Sequence, residues 1–183
     1  ILHALCWQRL NNFMVDFEQL LADLDTHHIE GIAREGRTPF SVPLISHVKD
    51  NLWQGGCVGG VSLQGRFRHI ISLYPWERYN PGGAELLDSF VEVVLYDGPQ
   101  VPDENQLYSL AKWVNICKQH GPTLVHCQAG LNRSALVTTL SLVLDGMAPT
   151  EAIALLRAYR SPAVLCNKAF EKWLLALPQG SSK

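Results

Sequence analysis

The apolar positions of this chain follow two rhythms. Short, nearly unbroken apolar runs occur at 67–74 (FRHIISLY), 90–96 (FVEVVLY) and 123–126 (TLVH), and a shorter one at 51–54 is stopped by the Gly55-Gly56 pair. Runs of about four to eight residues, rich in β-branched and aromatic side chains and bounded by Gly or Pro, predict buried strands. Elsewhere the apolar residues are spaced by three and four. Leu107, Leu110, Ala111 and Val114 share one face of a helix that Asp103 caps and Gly121-Pro122 stops. The run 135–144 predicts an apolar helix ended by Asp145-Gly146, and Pro149-Thr150-Glu151 opens another that continues through Arg157. Phe170, Trp173 and Leu174 mark the buried face of a last helix from about Asn167 to Leu177. Near the start, Phe13, Val15, Phe17, Leu20, Leu21 and Leu24 predict an amphipathic helix over 12–26, whereas 31–43 (GIAREGRTPFSVP) has little periodicity and reads as a loop.

Apolar strands alternating with helices predict an α/β domain: a central, mostly parallel sheet flanked by helices, with an N-terminal helical and loop extension. We divide the chain into the extension, 1–47, a main domain, 48–177, and a disordered tail, 178–183. No internal repeat or linker between two cores is visible. In such sheets ligands bind beyond the carboxyl ends of the strands. Cys127 stands at such an end, between the strand at 123–126 and the helix after Arg133.

Composition narrows the classes. The 183 residues are 47% hydrophobic and 17% charged, which excludes a disordered chain, and no apolar run approaches the roughly 18 residues of a membrane helix. A net charge of −2 argues against nucleic acid and anionic membranes as partners. The opening ILHALCWQRL lacks the basic start, apolar core and cleavage site of a secretory leader. Five cysteines, an odd number without a C-x-x-C pair, point to a reducing, cytoplasmic setting rather than a disulfide scaffold. His27 and His28 have no cysteine at ligand spacing, so no metal is expected.

The stretch 126–134, HCQAGLNRS, carries the chemistry. Five residues separate Cys127 from Arg133 in a tight loop that enters a helix, with Gly130 free to turn the backbone. Such a loop directs successive N–H groups inward as an anion nest, the helix adds its positive end, and Arg133 offers a planar fork for two phosphate oxygens. The same field favours the Cys127 thiolate, placed to attack phosphorus and form a phosphocysteine. Ser134 can hydrogen-bond the sulfur and help it leave.

His-Cys-x5-Arg-Ser at a strand-to-helix junction resembles the signature of the cysteine-dependent protein tyrosine phosphatase superfamily. Its place in the last third of a short chain is similar to the compact dual-specificity phosphatases. The resemblance covers roughly 48–177, including NLWQGG, FRHIISLY, LYDGP and RSPAVLCNKAF. It implies a dual-specificity phosphatase-like fold and no cofactor. In it the loop residues Gln128, Ala129, Gly130, Leu131 and Asn132 bind phosphate with Arg133, and His126 orients the loop. It also implies a general acid about thirty residues before the cysteine, which falls on Asp97; the competitor, Asp103, reads better as a helix cap. The substrate implied is a phosphorylated protein or a small phosphomonoester, on phosphotyrosine, phosphoserine or phosphothreonine. None of Gln128, Ala129, Leu131 and Asn132 is basic, which weighs against inositol-lipid headgroups. Asn132 just before the Arg also occurs in RNA 5′-triphosphatases of the superfamily, so a nucleotide substrate stays open. So do a silent phosphoprotein-binding module and a redox enzyme built on Cys127. Trp76, Arg78 and Tyr79 are candidates for a pocket rim, and Asn167 for a polar group near the site. Cys57 is a candidate disulfide partner for Cys127, as in some relatives. Cys6, Cys117 and Cys166 read as bystanders, and the oligomeric state stays open.

Overall fold

The computed structural model describes residues 27–63, 65–79 and 87–178. The helix expected over 12–26 lies outside the described residues, as does the tail from 179 onward. A two-stranded antiparallel ribbon comes first, β1 (His28–Ile32) and β2 (Pro39–Pro43). Five further strands form one sheet: β3 (Ile45–Lys49), β4 (Leu52–Gly55), β5 (His69–Ser72), β6 (Ser89–Glu92) and β7 (Thr123–His126), in the order β3-β4-β7-β5-β6. Only β3 against β4 is antiparallel. The helices among the described residues are α1 (Glu104–His120), α2 (Arg133–Leu144), α3 (Pro149–Tyr159) and α4 (Lys168–Leu175). This is the α/β architecture expected, with two differences, the first that β3 of the main sheet runs across the boundary placed between 47 and 48. The second is that the segment 31–43 is not a loop but most of the β1–β2 ribbon, turned at Glu35-Gly36-Arg37 with positive φ at Gly36 and Arg37.

Alternation along the strands sorts the core into two layers. Ile71 and Val125 point to one face and pack with Leu136, Leu140, Leu107 and Phe170 of the helices. Their neighbours Ile70 and Leu124 point to the other and pack with Phe67 and Leu63 of the β4–β5 connection and with Tyr79, which follows β5. Every residue of β5 and β7 is therefore buried, which is why these runs show no polar alternation. Helix α2 is buried from Arg133 to Val143, so its sequence carries no charge after Arg133.

The arrangement places β7 at the centre of the sheet, between β4 and β5. Its carboxyl end is tied on both sides: Cys127 N–H donates to Gly55 O at 3.2 Å, and Leu73 N–H to His126 O at 2.9 Å. The loop that follows thus starts from the centre of the sheet and ends in a helix buried from Arg133 to Val143. Leu136, fully buried at the middle of that packing, is expected to cost about 2–5 kcal/mol on Leu136→Ala, read as a lower urea midpoint at unchanged slope.

Candidate active site

Residues 127–133 form a closed loop around the Cys127 sulfur. The Gly130 N–H donates to Sγ at 3.3 Å, and the Ser134 hydroxyl lies 3.4 Å from it. Gly130 has φ +68, and a Cβ there would collide with Arg160 and with the Gly55 backbone. The loop is pressed that tightly onto the end of β4, where Cys57 N–H also donates to Gln128 O at 2.9 Å. The N-cap of α2, Asn132, makes no side-chain capping bond. The first N–H groups of the helix therefore stay available to a bound anion.

Arg133 is 7% exposed. Its guanidinium stands 4.9 Å from the centre of the Tyr74 ring, one nitrogen donates to Leu95 O at 3.4 Å, and Nε has no partner. Burial works against ionisation of the Cys127 thiol. The Arg133 charge, the Ser134 hydroxyl and the backbone N–H groups of Ser134 and Gly130 outweigh it and hold the thiol below its ordinary pKa. His126, by contrast, is neutral: burial lowers it to about 4, and its ring meets Tyr79 edge-on at 5.0 Å.

Asp97 is fixed from both sides. Asn132 Nδ2 donates to one carboxylate oxygen and Asn167 Nδ2 to the other, each at 2.9 Å. The second amide also reaches Gly98 O at 2.9 Å, while its Oδ1 caps α4 through the Ala169 N–H at 3.0 Å. Asn167 thus serves as helix cap and as a group at the site, so its two candidate roles are one arrangement. Asn132 is itself held, its Oδ1 accepting from the Asn167 N–H at 3.0 Å and from the Cys166 thiol at 3.4 Å. Asp103 caps α1, accepting from the Gln106 N–H at 2.9 Å.

Cys127, Gln128, Ala129, Leu131, Asn132, Arg133 and Asp97 all line one cleft of about 1060 Å³. One wall is the β1–β2 ribbon, with Ile29, Ile32, Arg34 and Phe40; the other carries Tyr74, Trp76 and Tyr96. The aromatic wall is continuous, with Tyr74–Trp76 and Trp76–Tyr96 ring centres 5.1 and 6.3 Å apart.

Three expectations change. Trp76 does reach the rim, but Arg78 is taken by a two-bond pair with Glu92, at 2.9 and 2.7 Å. Tyr79 is buried, its hydroxyl donating to Gly56 O at 2.6 Å. Cys166 is no bystander: its thiol sits between Asn132 and the Glu35 carbonyl of the ribbon turn, 3.3 Å away. Cys57 also lines the cleft as a free thiol, pushed up to about 12 chiefly by burial.

A family model described as the dual specificity phosphatase catalytic domain matches residues 87–179. The structure of human DUSP28 is similar to this chain with a TM-score of 0.60 at 20% identity, covering 70% of this chain and 92% of that one. The PTP-2 phosphatase of Cydia pomonella is similar with a TM-score of 0.57 at 21% identity, covering 72% and 88%. PTPMT1 in complex with PI(5)P is similar with a TM-score of 0.53 at 16% identity, covering 73% and 97%. At these identities the structural likeness bears on the fold. No curated protein matches the sequence.

The depressed thiol has a measurable sign: at any pH below the ordinary thiol pKa of roughly 8.5, Cys127 carries more thiolate than an ordinary cysteine. Iodoacetamide is expected to alkylate it at about pH 6.5 while Cys57 and Cys117, both raised by burial, stay unmodified. Arg133→Met is expected to move that reactivity to higher pH. Peptide mass spectrometry checks it, and a Cys127 that reacts only in the ordinary thiol range contradicts the electrostatic account.

Proposed function

The chain belongs to the dual specificity phosphatase family, and from that premise we propose that it hydrolyses phosphomonoesters on protein side chains through a phosphocysteine on Cys127. The observation that carries this reading is the convergence at one sulfur of the Gly130 N–H, the Ser134 hydroxyl and the Arg133 charge, with Asp97 on the same cleft.

The reaction has two steps. The Cys127 thiolate attacks phosphorus from below; the S–P bond forms as the P–O bond to the leaving group breaks. Protonated Asp97 gives its proton to the leaving oxygen. Arg133 and the loop amides stabilise charge on the equatorial oxygens. In the second step ionised Asp97 takes a proton from water, whose oxygen attacks phosphorus, and the thiolate leaves toward the Ser134 hydroxyl and the Gly130 N–H. His126, neutral and buried, orients the loop and takes no proton. Gln128, Ala129, Leu131 and Asn132 shape the phosphate site through their backbone.

Three features support a protein substrate. The aromatic wall suits a phosphorylated side chain carried on a peptide. The loop lacks the basic residues an inositol headgroup calls for. The Asn132 amide, the one feature pointing to a nucleotide 5′-phosphate, is directed to Asp97. The described cysteines are free thiols, which suits a reducing, cytoplasmic setting for a reactive thiolate.

Release of inorganic phosphate from an aryl phosphate and from phosphopeptides tests the reading. Cys127→Ser is expected to lose about 10³-fold or more in kcat, and Asp97→Asn about 10²–10⁴-fold. Asp103→Asn, which keeps a good cap, is expected to stay within about threefold of wild type. A crippled Asp103→Asn beside an active Asp97→Asn reassigns the acid. A reduced wild type that releases no phosphate from any of these esters overturns the function.

A further inference from the structure

Arg160 follows the last turn of α3, where a cation usually faces solvent, yet it is only 6% exposed. Its guanidinium turns inward beneath the loop. Nε donates to Gly130 O at 2.6 Å and Nη2 to Ala129 O at 3.0 Å. Nη1 donates to Ser46 Oγ at 3.1 Å and to Gln54 O at 3.3 Å. Every acceptor is neutral, and no salt bridge among the described residues includes Arg160. A buried cation without an anion is costly, and proteins seldom retain one idly.

We propose that Arg160 is a positioning residue for the phosphate-binding loop and the fixed counter-charge of the Cys127 thiolate. The first half follows from peptide planarity. The Ala129 C=O and the Gly130 N–H belong to one trans peptide and point in opposite directions. By gripping that carbonyl, Arg160 turns the N–H toward Cys127 Sγ, where it is found at 3.3 Å. The next peptide repeats the device: with the Gly130 carbonyl held by Arg160, the Leu131 N–H is directed to the opposite, phosphate-facing side. Gln54 Nε2 reinforces the same carbonyl at 2.9 Å. Gly130 is required here because a Cβ would strike the guanidinium itself.

The second half follows from the charges around the sulfur. His126, Tyr79 and Cys57 face it in their neutral forms, since burial lowers the first and raises the other two. Asp97 and Arg133 line the cleft, and Arg160 holds the two carbonyls on either side of the Gly130 N–H that donates to the sulfur. Burial lowers the Arg160 guanidinium to about 10, and attraction to Cys127 is what chiefly opposes the fall. The guanidinium therefore stays charged at neutral pH. Phosphate binding and thiolate formation draw on the same buried charge.

This inference rests on the reading of Cys127 as an anionic nucleophile and adds the residue that keeps it so. The test follows iodoacetamide alkylation of Cys127 against pH, with folding verified by near-UV circular dichroism. Arg160→Gln is expected to raise the midpoint by about one pH unit or more. Arg160→Lys, which keeps charge but loses the fork, is expected to raise it by less. Arg157→Gln, whose native guanidinium is tied to Glu171 and the Val164 carbonyl, leaves the midpoint unmoved. A folded Arg160→Gln with the wild-type midpoint overturns the proposal. If neither Arg160 variant folds, Gln54→Glu decides: it sets a carboxylate beside the guanidinium and is expected to raise the midpoint, and an unchanged midpoint overturns the proposal. Alkylation needs no turnover. A wild type that releases no phosphate therefore defeats the catalytic reading alone, while an unmoved midpoint in an active enzyme defeats this one alone.

Discussion

A sulfur anion held out of water needs donors and positive charge fixed around it before any substrate arrives, because flexible groups would lose too much entropy in gathering there. That demand explains the placement of the main elements. The loop begins at the end of the central strand, β7, and ends in α2, the helix buried along its whole length. Both anchors are stiff, so the loop amides keep their aim. The β4 end supplies Gly55 and Gly56 as a flat backbone against which the loop lies, with no side chains to hold it away. Arg133 enters from one side and Arg160 from the other. The two buried cations favour an anion at the Cys127 sulfur beside them.

The general-acid candidate depends on the same frame at second hand. Asp97 lies on the strand-end loop after β6, at the edge of the sheet, where position is least constrained. It is recruited to the centre by two amides far from it in sequence, Asn132 within the loop and Asn167 at the head of α4. Because Asn132 also precedes Arg133, any shift of the phosphate-binding loop moves the carboxylate with it. Cys127, Arg133 and Asp97 behave as one body. The Cys166 thiol extends that body to the β1–β2 ribbon through the Glu35 carbonyl.

What the sequence makes legible is what depends on short range. HCQAGLNRS announces its loop because strand, turn and helix follow one another within nine residues. The strands and helices of the sheet announce themselves because burial on both faces or one leaves a periodic trace. The β1–β2 ribbon leaves only a faint one: Ile29, Phe40 and Val42 turn inward between exposed neighbours, too few positions to mark strands in a stretch punctuated by Gly and Pro. Arg160, Tyr79 and Cys166 are harder still. Each acts through partners between about 20 and 130 positions away, and a lone Arg at a helix end or a Tyr in a Pro-rich loop looks like surface. Arg78 shows the opposite error, an apparent ligand-binding cation whose charge is taken up by Glu92 across the neighbouring strand.

The division between floor and walls bears on selectivity. The floor of the cleft is the rigid phosphate-binding loop, and its chemistry is indifferent to what carries the phosphate. The walls come from other elements: the ribbon on one side, the segments after β5 and β6 on the other. Along them the one cation, Arg34, is outnumbered by Glu30, Glu77 and Asp97. A substrate with several phosphates would meet one well-built positive site and then a rim of the wrong sign. A single phosphate on an apolar or aromatic arm meets Arg133 at depth and Tyr74, Trp76 and Tyr96 along its length, where stacking adds about 0.5–1.5 kcal/mol per ring pair. On the function proposed, selection on these walls works by shape and stacking rather than by charge.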